Sequence, residues 1–194
     1  MIKPSFIFIL IFSVTRINVE AQLVAGSSVS QEVKFENVVL ADSLTKSQLF
    51  KNAMAWIRKL DQNDEHFDLK LKDSIDGKMN GLCSFFVYSQ NGILKKISGT
   101  VSYDLSIDVK DKKYRYQFNH FLFHYYKQDR YYNMVATGKV KSLQEIKAPG
   151  WQRLWTSHRL NTINKMIVNC RQLELQMNVK EKKISNKIQK EVEW

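Results

Sequence analysis

Hydrophobic and polar residues alternate over much of the middle of the chain. From Ile97 to Val109 every odd position except Gly99 is apolar, and every even position is polar. A long strand with one face on a core and the other in water produces this pattern. Less regular alternation predicts further strands at 33–39, 67–72 (with Phe67, Leu69 and Leu71 inward), 79–87 and 114–125, and either a sixth strand or an irregular excursion at 133–140.

The strand predicted at 114–125 changes phase partway along its length. Its apolar positions are even-numbered up to Phe118 and odd-numbered from Phe121. A change of phase by one residue predicts a β-bulge near Asn119 or His120, or a strand end that is buried on both sides.

Two helices are predicted from apolar residues at steps of three or four. The first spans 45–60 and begins with Thr45 and Gln48 at the spacing of a capping box. The second follows Pro149 and Gly150, and its pattern continues weakly into residues 179–194, a charged amphipathic helical tail that projects, frays or meets a partner. The predicted buried stripe of the second helix comprises Trp151, Trp155, His158, Thr162, Met166, Cys170, Leu173 and Met177.

The order of these elements predicts the fold class. A strand, a helix, a run of antiparallel strands and a long C-terminal helix are typical of an α+β fold with the helices on one face of the sheet. We expect a single domain at 33–178, preceded by a polar lead-in at 22–32, with the other sheet face exposed to water.

The N-terminus has the layout of a secretory signal peptide. Lys3 precedes an apolar run from Phe6 to Val14, and small residues end the segment at Val19 and Ala21. The apolar run is shorter than the roughly 20 residues that a membrane-spanning helix needs. We therefore expect residues 1–21 to be removed and the mature protein to be periplasmic or extracellular.

Several segments resemble an exported Bacteroidota family described only as a domain of unknown function with a TBP-like fold. The resemblance rests on Leu49, Ala53 and Trp56 and on the segments 73–81 and 103–116, and it extends over roughly 33–178. It implies a curved antiparallel sheet of the TBP-like type and an exported protein. The family pattern has a glycine where this chain has Lys112, and the tail is longer than usual. Because the family has no established activity, it assigns no catalytic or binding residue.

The chain is strongly basic, with a net charge of +11 that falls only to +10 when residues 1–21 are removed. A TBP-like sheet would need an apolar concave face to enter a DNA minor groove. The water-exposed face predicted for the strand at 97–109 instead has hydroxyl groups together with Asp104 and Asp108, which would repel phosphate. We therefore expect no nucleic acid. The charge is better explained by solubility, by envelope polyanions or by anionic lipid headgroups.

No catalytic motif is present, and no catalytic, metal or cofactor residue is predicted. Asp104 and Asp108 lie about 13 Å apart along one strand, too far for a glycosidase pair. The four histidines are not linked by any motif, so each is expected to be hydrogen-bonded or at the surface. The two cysteines, Cys83 and Cys170, lack a Cys-x-x-Cys spacing, and either a disulfide between them or two buried free thiols fits the sequence.

Aromatic residues are unusually dense from Tyr114 to Tyr132 and are interleaved with basic ones. Core packing explains half of them, but rings next to cations can also bind sugars, bases or peptides. The predicted binding surface comprises Tyr126, Lys127, Arg130, Tyr131, Tyr132, Lys139, Lys141 and Arg153.

These observations favour a non-enzymatic binding module of the cell envelope, whose partner is an envelope component, another protein or a second copy joined through the C-terminal helix. The alternative is a carrier of small apolar ligands, with a cavity between the sheet and the C-terminal helix. A hydrolase whose residues are brought together only by folding is the third hypothesis.

Overall fold

The computed structural model describes residues 32–62, 65–91 and 94–180, without the side chains of residues 62, 90, 91, 94 and 95. The predicted leader at 1–21, nearly all of the lead-in and residues 181–194 of the tail lie outside the described residues. In chain order the described elements are β1 (Phe35–Leu40), α1 (Lys46–Gln62), β2 (Glu65–Asp73), β3 (Lys78–Asn91), β4 (Leu94–Lys110), β5 (Lys113–Gln128), β6 (Met134–Ser142) and α2 (Gln152–Met177).

The six described strands form one antiparallel sheet in the order β1-β5-β4-β3-β2, with β6 also paired to β5. β1 pairs with the first half of β5 and β6 with the second half, so β1 and β6 lie end to end along the same edge of β5. Trp56 of α1 contacts the ring of Phe118, and Trp155 of α2 contacts the ring of Phe123. Both helices therefore pack on the same face of the sheet, and the predicted α+β architecture is confirmed.

A bulge in β5 explains the change of phase in its apolar positions. The register with β4 shifts between Ser102 and Asp104, where β5 has one extra residue, and His120 has a φ of 53°. The extra residue turns Phe121 onto the same face as Phe118, so both rings are buried beneath the helices. The predicted bulge near residues 119 and 120 is confirmed.

Two short turns have left-handed residues. Gly77 ends the β2–β3 turn with a φ of 75°, and a Cβ there would lie 2.4 Å from the Val109 carbonyl oxygen. Lys112, where the family resemblance predicts glycine, has a φ of 62° in the β4–β5 turn. Its backbone is held by the chain before α1, because Ala41 donates to its carbonyl at 2.7 Å and its N–H donates to the Leu44 carbonyl at 3.1 Å.

The capping box of α1 forms as predicted, with the Thr45 N–H donating to Gln48 Oε1 at 3.0 Å and the Gln48 N–H donating to Thr45 Oγ1 at 3.4 Å. The helix buries its apolar positions against the sheet and α2. Among them are Leu49, Ala53, Trp56, Ile57 and Leu60.

The buried stripe of α2 differs from the prediction at two positions. Trp151 lies before the helix and is only half-buried. Asn169 is buried where the apolar pattern favoured Cys170, which is only half-buried. Asn169 is stabilised there because its amide donates to the buried Glu65 carboxylate.

The helix α2 ends at Met177, where Asn52 of α1 donates to the carbonyls of Met177 and Val179. Residues 178–180 are not helical, so α2 does not run without a break into the tail.

The prediction for β2 is also wrong in part, because Leu69 and Leu71 are 39% and 43% exposed. β2 is an edge strand whose register shifts between these two residues.

The sheet face opposite the helices is likewise less polar than the pattern of β4 alone suggested. Phe86 and Leu122 lie on it beside Ser102, which is buried by its cross-strand neighbours. We call this face the open face.

Candidate functional site

The fold does not bring the residues of the predicted binding surface together. Arg130, Tyr131 and Tyr132 lie in the β5–β6 turn, where the Arg130 guanidinium lies over the Tyr131 ring and both tyrosines are well exposed. The other members are spread over β5, β6 and the start of α2. Tyr126 packs edge-to-face on Phe86 on the open face, Lys127 and Lys139 are exposed, Lys141 lies over the Trp155 ring, and Arg153 is exposed on α2.

Two histidines on the open face each contact another polar side chain. His120 Nδ1 lies 2.8 Å from Asp104 Oδ2, and His124 Nε2 lies 2.7 Å from Ser102 Oγ. These contacts belong to different histidines, so Ser102, a histidine and Asp104 do not form one hydrogen-bonded series. The Asp104 and His120 side chains are 45% and 67% exposed, so this pair lies at the surface.

A groove lies on the other face, between β3 and the first half of α2, and we call it the β3–α2 groove. Its volume is about 1040 Å³. That is large enough for a small ligand or a short peptide. It is lined by residues 85–89 of β3, residues 150–154 at the start of α2, and Ser157, His158, Asn161, Thr162 and Lys165.

The groove exists because β2 is shorter than β3. Pairing between the two strands ends at Glu65 opposite Phe85, while β3 continues to Asn91 with β4 on its other side. Beyond Phe85 this edge of β3 has no paired strand among the described residues. Its backbone groups from Phe86 to Ser89 therefore border the groove.

His158 lines the groove as a buried imidazole. It is 2% exposed and stacks on the Phe123 ring at 5.2 Å, and neither of its ring nitrogens has a hydrogen-bond partner among the described residues. Burial lowers the pKa of this histidine below its ordinary value of 6.5, so the ring is neutral at pH 7. The sequence-based expectation of a hydrogen-bonded or surface histidine is wrong here. A neutral ring can both donate and accept one hydrogen bond.

Lys165 closes one end of the groove. Its Nζ lies 2.8 Å from Glu65 Oε1 and 4.7 Å from the centre of the Phe85 ring. The Glu65 carboxylate is only 3% exposed and also accepts hydrogen bonds from the Tyr103 hydroxyl and the Asn169 amide. Lys165 is therefore held in place by a buried network.

The opposite end of the groove is positively polarised. Trp151, the residue before α2, makes no side-chain capping hydrogen bond within the described residues, and the first turn of the helix contains no acidic residue. The N–H groups there carry the positive end of the helix dipole. Arg153 adds a cation at the same end, and no carboxylate occurs among the described residues that line the groove.

Cys83 and Cys170 are free thiols in the structure, so the disulfide alternative is not formed there. Burial, as the main cause, raises the pKa of each thiol to about 12, with Tyr103 as a hydrogen-bonding neighbour of Cys83 and Tyr116 of Cys170. Both are unreactive at neutral pH because the thiolate is the reactive form.

A smaller cleft of about 380 Å³ lies between α1 and α2. Its lining includes Trp56, whose buried Nε1 has no partner among the described residues, and Leu175.

Within the described part of the chain, no three His, Cys, Asp or Glu side chains are grouped closely enough to hold a metal ion. None of the described helices is long and apolar enough to cross a membrane.

The fold and the groove define the chain as a small α+β domain with a preformed groove beside a sheet edge. The model of a family described as "Domain of unknown function (DUF4468) with TBP-like fold" matches residues 35–124. Over those residues the chain is similar to this family. The match covers α1 and most of the sheet and ends before β6 and α2, so the α2 side of the groove lies outside it.

A solved structure with a TM-score above 0.5 supports the same fold. A DUF4468 family protein from Bacteroides ovatus is 12% identical, with a TM-score of 0.53 over 79% of this chain and 91% of the other. A TBP-like protein from Parabacteroides distasonis is 14% identical, with a TM-score of 0.47 over 77% of this chain and 97% of the other. No curated protein matches the chain.

Sequence reasoning found His158 and Arg153 but not the groove that both residues line. The contributions of Tyr88, Ser157 and Asn161 were missed because they lie on two elements far apart in the chain. Two signals were available: the strand predicted before the 79–87 strand was the shorter of the two, and a histidine occupied a buried position of the C-terminal helix.

Proposed function

We propose that the protein is a non-enzymatic binding module of the cell envelope that holds its partner in the β3–α2 groove. Residues 1–21 direct its export and are removed during it. The observation that supports this most directly is the groove itself, which is preformed between β3 and α2 and has a volume of about 1040 Å³. Small molecules and short peptides bind in preformed clefts of this size.

The composition of the groove also supports binding. Phe85, Val87 and Trp151 provide apolar contact area, while Ser157 and Asn161 on α2 provide polar groups that can orient a ligand. Binding sites for small molecules and peptides commonly combine these two features.

A carrier of small apolar ligands is the second candidate, favoured by the volume of the groove and by these aromatic walls. A carrier of this kind would bind one apolar molecule per chain. Native mass spectrometry of the exported protein distinguishes the two candidates, because a bound small molecule adds a discrete mass that organic extraction removes.

The hydrolase hypothesis has less support. The nearest arrangement to a catalytic set is on the open face, and there Ser102 and Asp104 contact different histidines. A serine nucleophile needs a base that a third group orients in turn.

The test of the proposed function is crosslinking in the host cell. A photoreactive benzoylphenylalanine replaces Ser157, which is exposed on the groove side of α2, and a control chain has it at Ile167, which is exposed on α2 outside the groove. We expect an envelope component to be crosslinked from position 157 and not from position 167. Equal products from both positions, or none from position 157, would contradict the proposal. Fractionation of the same cells tests export: a chain that keeps residues 1–21 and stays in the cytoplasm would refute it.

A further inference from the structure

We infer that the ligand of the β3–α2 groove is an extended acidic peptide segment of a protein partner, which adds to the open edge of β3 as a further strand. This inference rests on the proposed function and specifies the class of ligand. Three features of the described residues support it: a free strand edge, polar groups that face that edge, and an arginine at one end of a groove whose described lining has no carboxylate.

The free edge comes first. A strand edge with unpaired backbone groups is a template for another strand, and proteins that bind peptides by strand addition use such an edge. β2 leaves β3 uncovered from Phe86 to Ser89, and these residues border the groove. At about 3.3 Å per residue, this stretch matches a peptide of roughly four residues.

The α2 side of the groove suits an extended chain. α2 and β3 form the two walls of the groove and run in opposite directions along it. Lys165 of α2 lies beside Phe85 at one end, the start of α2 lies at the other end, and Ser157 and Asn161 lie between them. These hydroxyl and amide groups face a peptide laid on β3 from its second side.

The charge of the groove selects the peptide. The groove contains Arg153 and the positive end of α2, and the described lining has no carboxylate. Lys165 is already paired with Glu65, so the unpaired positive charge is concentrated at the Arg153 end. A glutamate, an aspartate or a terminal carboxylate on the peptide would be attracted to this end.

The test uses the full chain and three dye-labelled synthetic peptides measured by fluorescence anisotropy. The first alternates valine and glutamate, the second has lysine in place of glutamate, and the third is the glutamate peptide with alternate backbone nitrogens methylated. Methylation removes the donors that strand pairing needs but keeps every side chain. We expect the glutamate peptide to bind at least tenfold more tightly than either of the others.

Two pairs of matched variants locate the site. Asn161→Trp fills the groove and should abolish binding, whereas Asn164→Trp, at an exposed position of α2 outside the groove, should leave it unchanged. Arg153→Glu should weaken binding of the glutamate peptide about tenfold and strengthen that of the lysine peptide, while Arg171→Glu on the same helix changes neither. Amide shifts at Phe86–Ser89 in NMR spectra should accompany binding.

Several results would overturn the inference. Equal binding of the methylated peptide excludes strand addition, and equal binding of the lysine peptide excludes charge selection. If position 157 crosslinks an envelope component but the glutamate peptide does not bind at concentrations up to about 1 mM, the proposed function stands and the peptide inference fails. Edge amides that are already protected from hydrogen exchange in the free chain would mean that a segment of the chain itself occupies the edge.

Discussion

The hydroxyl of Tyr103 offers a sharp test of how the interior is stabilised. Its ring is fully buried, and the hydroxyl donates to Glu65 Oε2 at 2.9 Å. Burial, reinforced by Cys83 and Glu65, raises the pKa of Tyr103 well above its ordinary value of 10, so the hydroxyl keeps its proton at neutral pH. Tyr103→Phe removes this hydrogen bond and keeps the ring.

The expected cost follows from the environment of the acceptor. A hydrogen bond to a charged group contributes about 1.5–3 kcal/mol. Glu65 would keep its bonds to Asn169 and Lys165, so one of its donors is lost rather than all of them. We expect Tyr103→Phe to lower the free energy of unfolding by about 2 kcal/mol.

Tyr114 provides a matched control. It is 1% exposed, and its hydroxyl is buried without a hydrogen-bond partner among the described residues. Removing an unpaired buried hydroxyl removes a desolvation cost, so Tyr114→Phe should be neutral or stabilising by up to about 1 kcal/mol. Both substitutions keep a buried ring in the same sheet, so cavity effects are comparable.

Urea unfolding at pH 7, followed by circular dichroism, measures the difference. With a slope of about 2 kcal/mol per molar urea, the midpoint of Tyr103→Phe should fall by roughly 1 M, while that of Tyr114→Phe should stay or rise. If the two midpoints agree within about 0.2 M, or if Tyr114→Phe is the less stable variant, the hydrogen-bond argument is refuted.

Three further predictions concern single positions. Lys112→Gly should stabilise the protein by up to about 1 kcal/mol in the same assay because it relieves a left-handed φ, whereas Lys113→Gly, in a strand, should destabilise it. Burial lowers the pKa of His158 below 6.5, so just below pH 6.5 the unfolded chain takes up this proton more readily than the folded one, and stability decreases as the pH is lowered. The difference between the unfolding midpoints at about pH 7.5 and 5.5 should therefore be smaller in His158→Phe than in the unmodified protein, and an unchanged difference would refute this. Iodoacetamide should modify Cys83 and Cys170 of the unreduced protein rapidly in urea and slowly in the folded state, as followed by mass, whereas failure to label in urea would mean that they form a disulfide.

The sequence pattern predicted most of the fold because local periodicity reflects burial directly. The strict alternation of 97–109 predicted β4, and the phase change between Phe118 and Phe121 predicted the bulge at His120. A capping box needs only neighbouring residues, so the start of α1 was also predictable. The exposed leucines of β2 were not, because a strand's alternation does not reveal whether a helix covers it.

The sequence by itself determined the fold class and most of the buried stripe of each helix, since both depend on short-range spacing. Only the tertiary structure decided which residues of distant elements meet. Glu65 and Asn169 are 104 positions apart yet share a hydrogen bond that stabilises a polar residue inside the α2 stripe. The β3–α2 groove arises for the same reason: β2 stops short of the end of β3, and α2 returns from far along the chain to form the opposite wall.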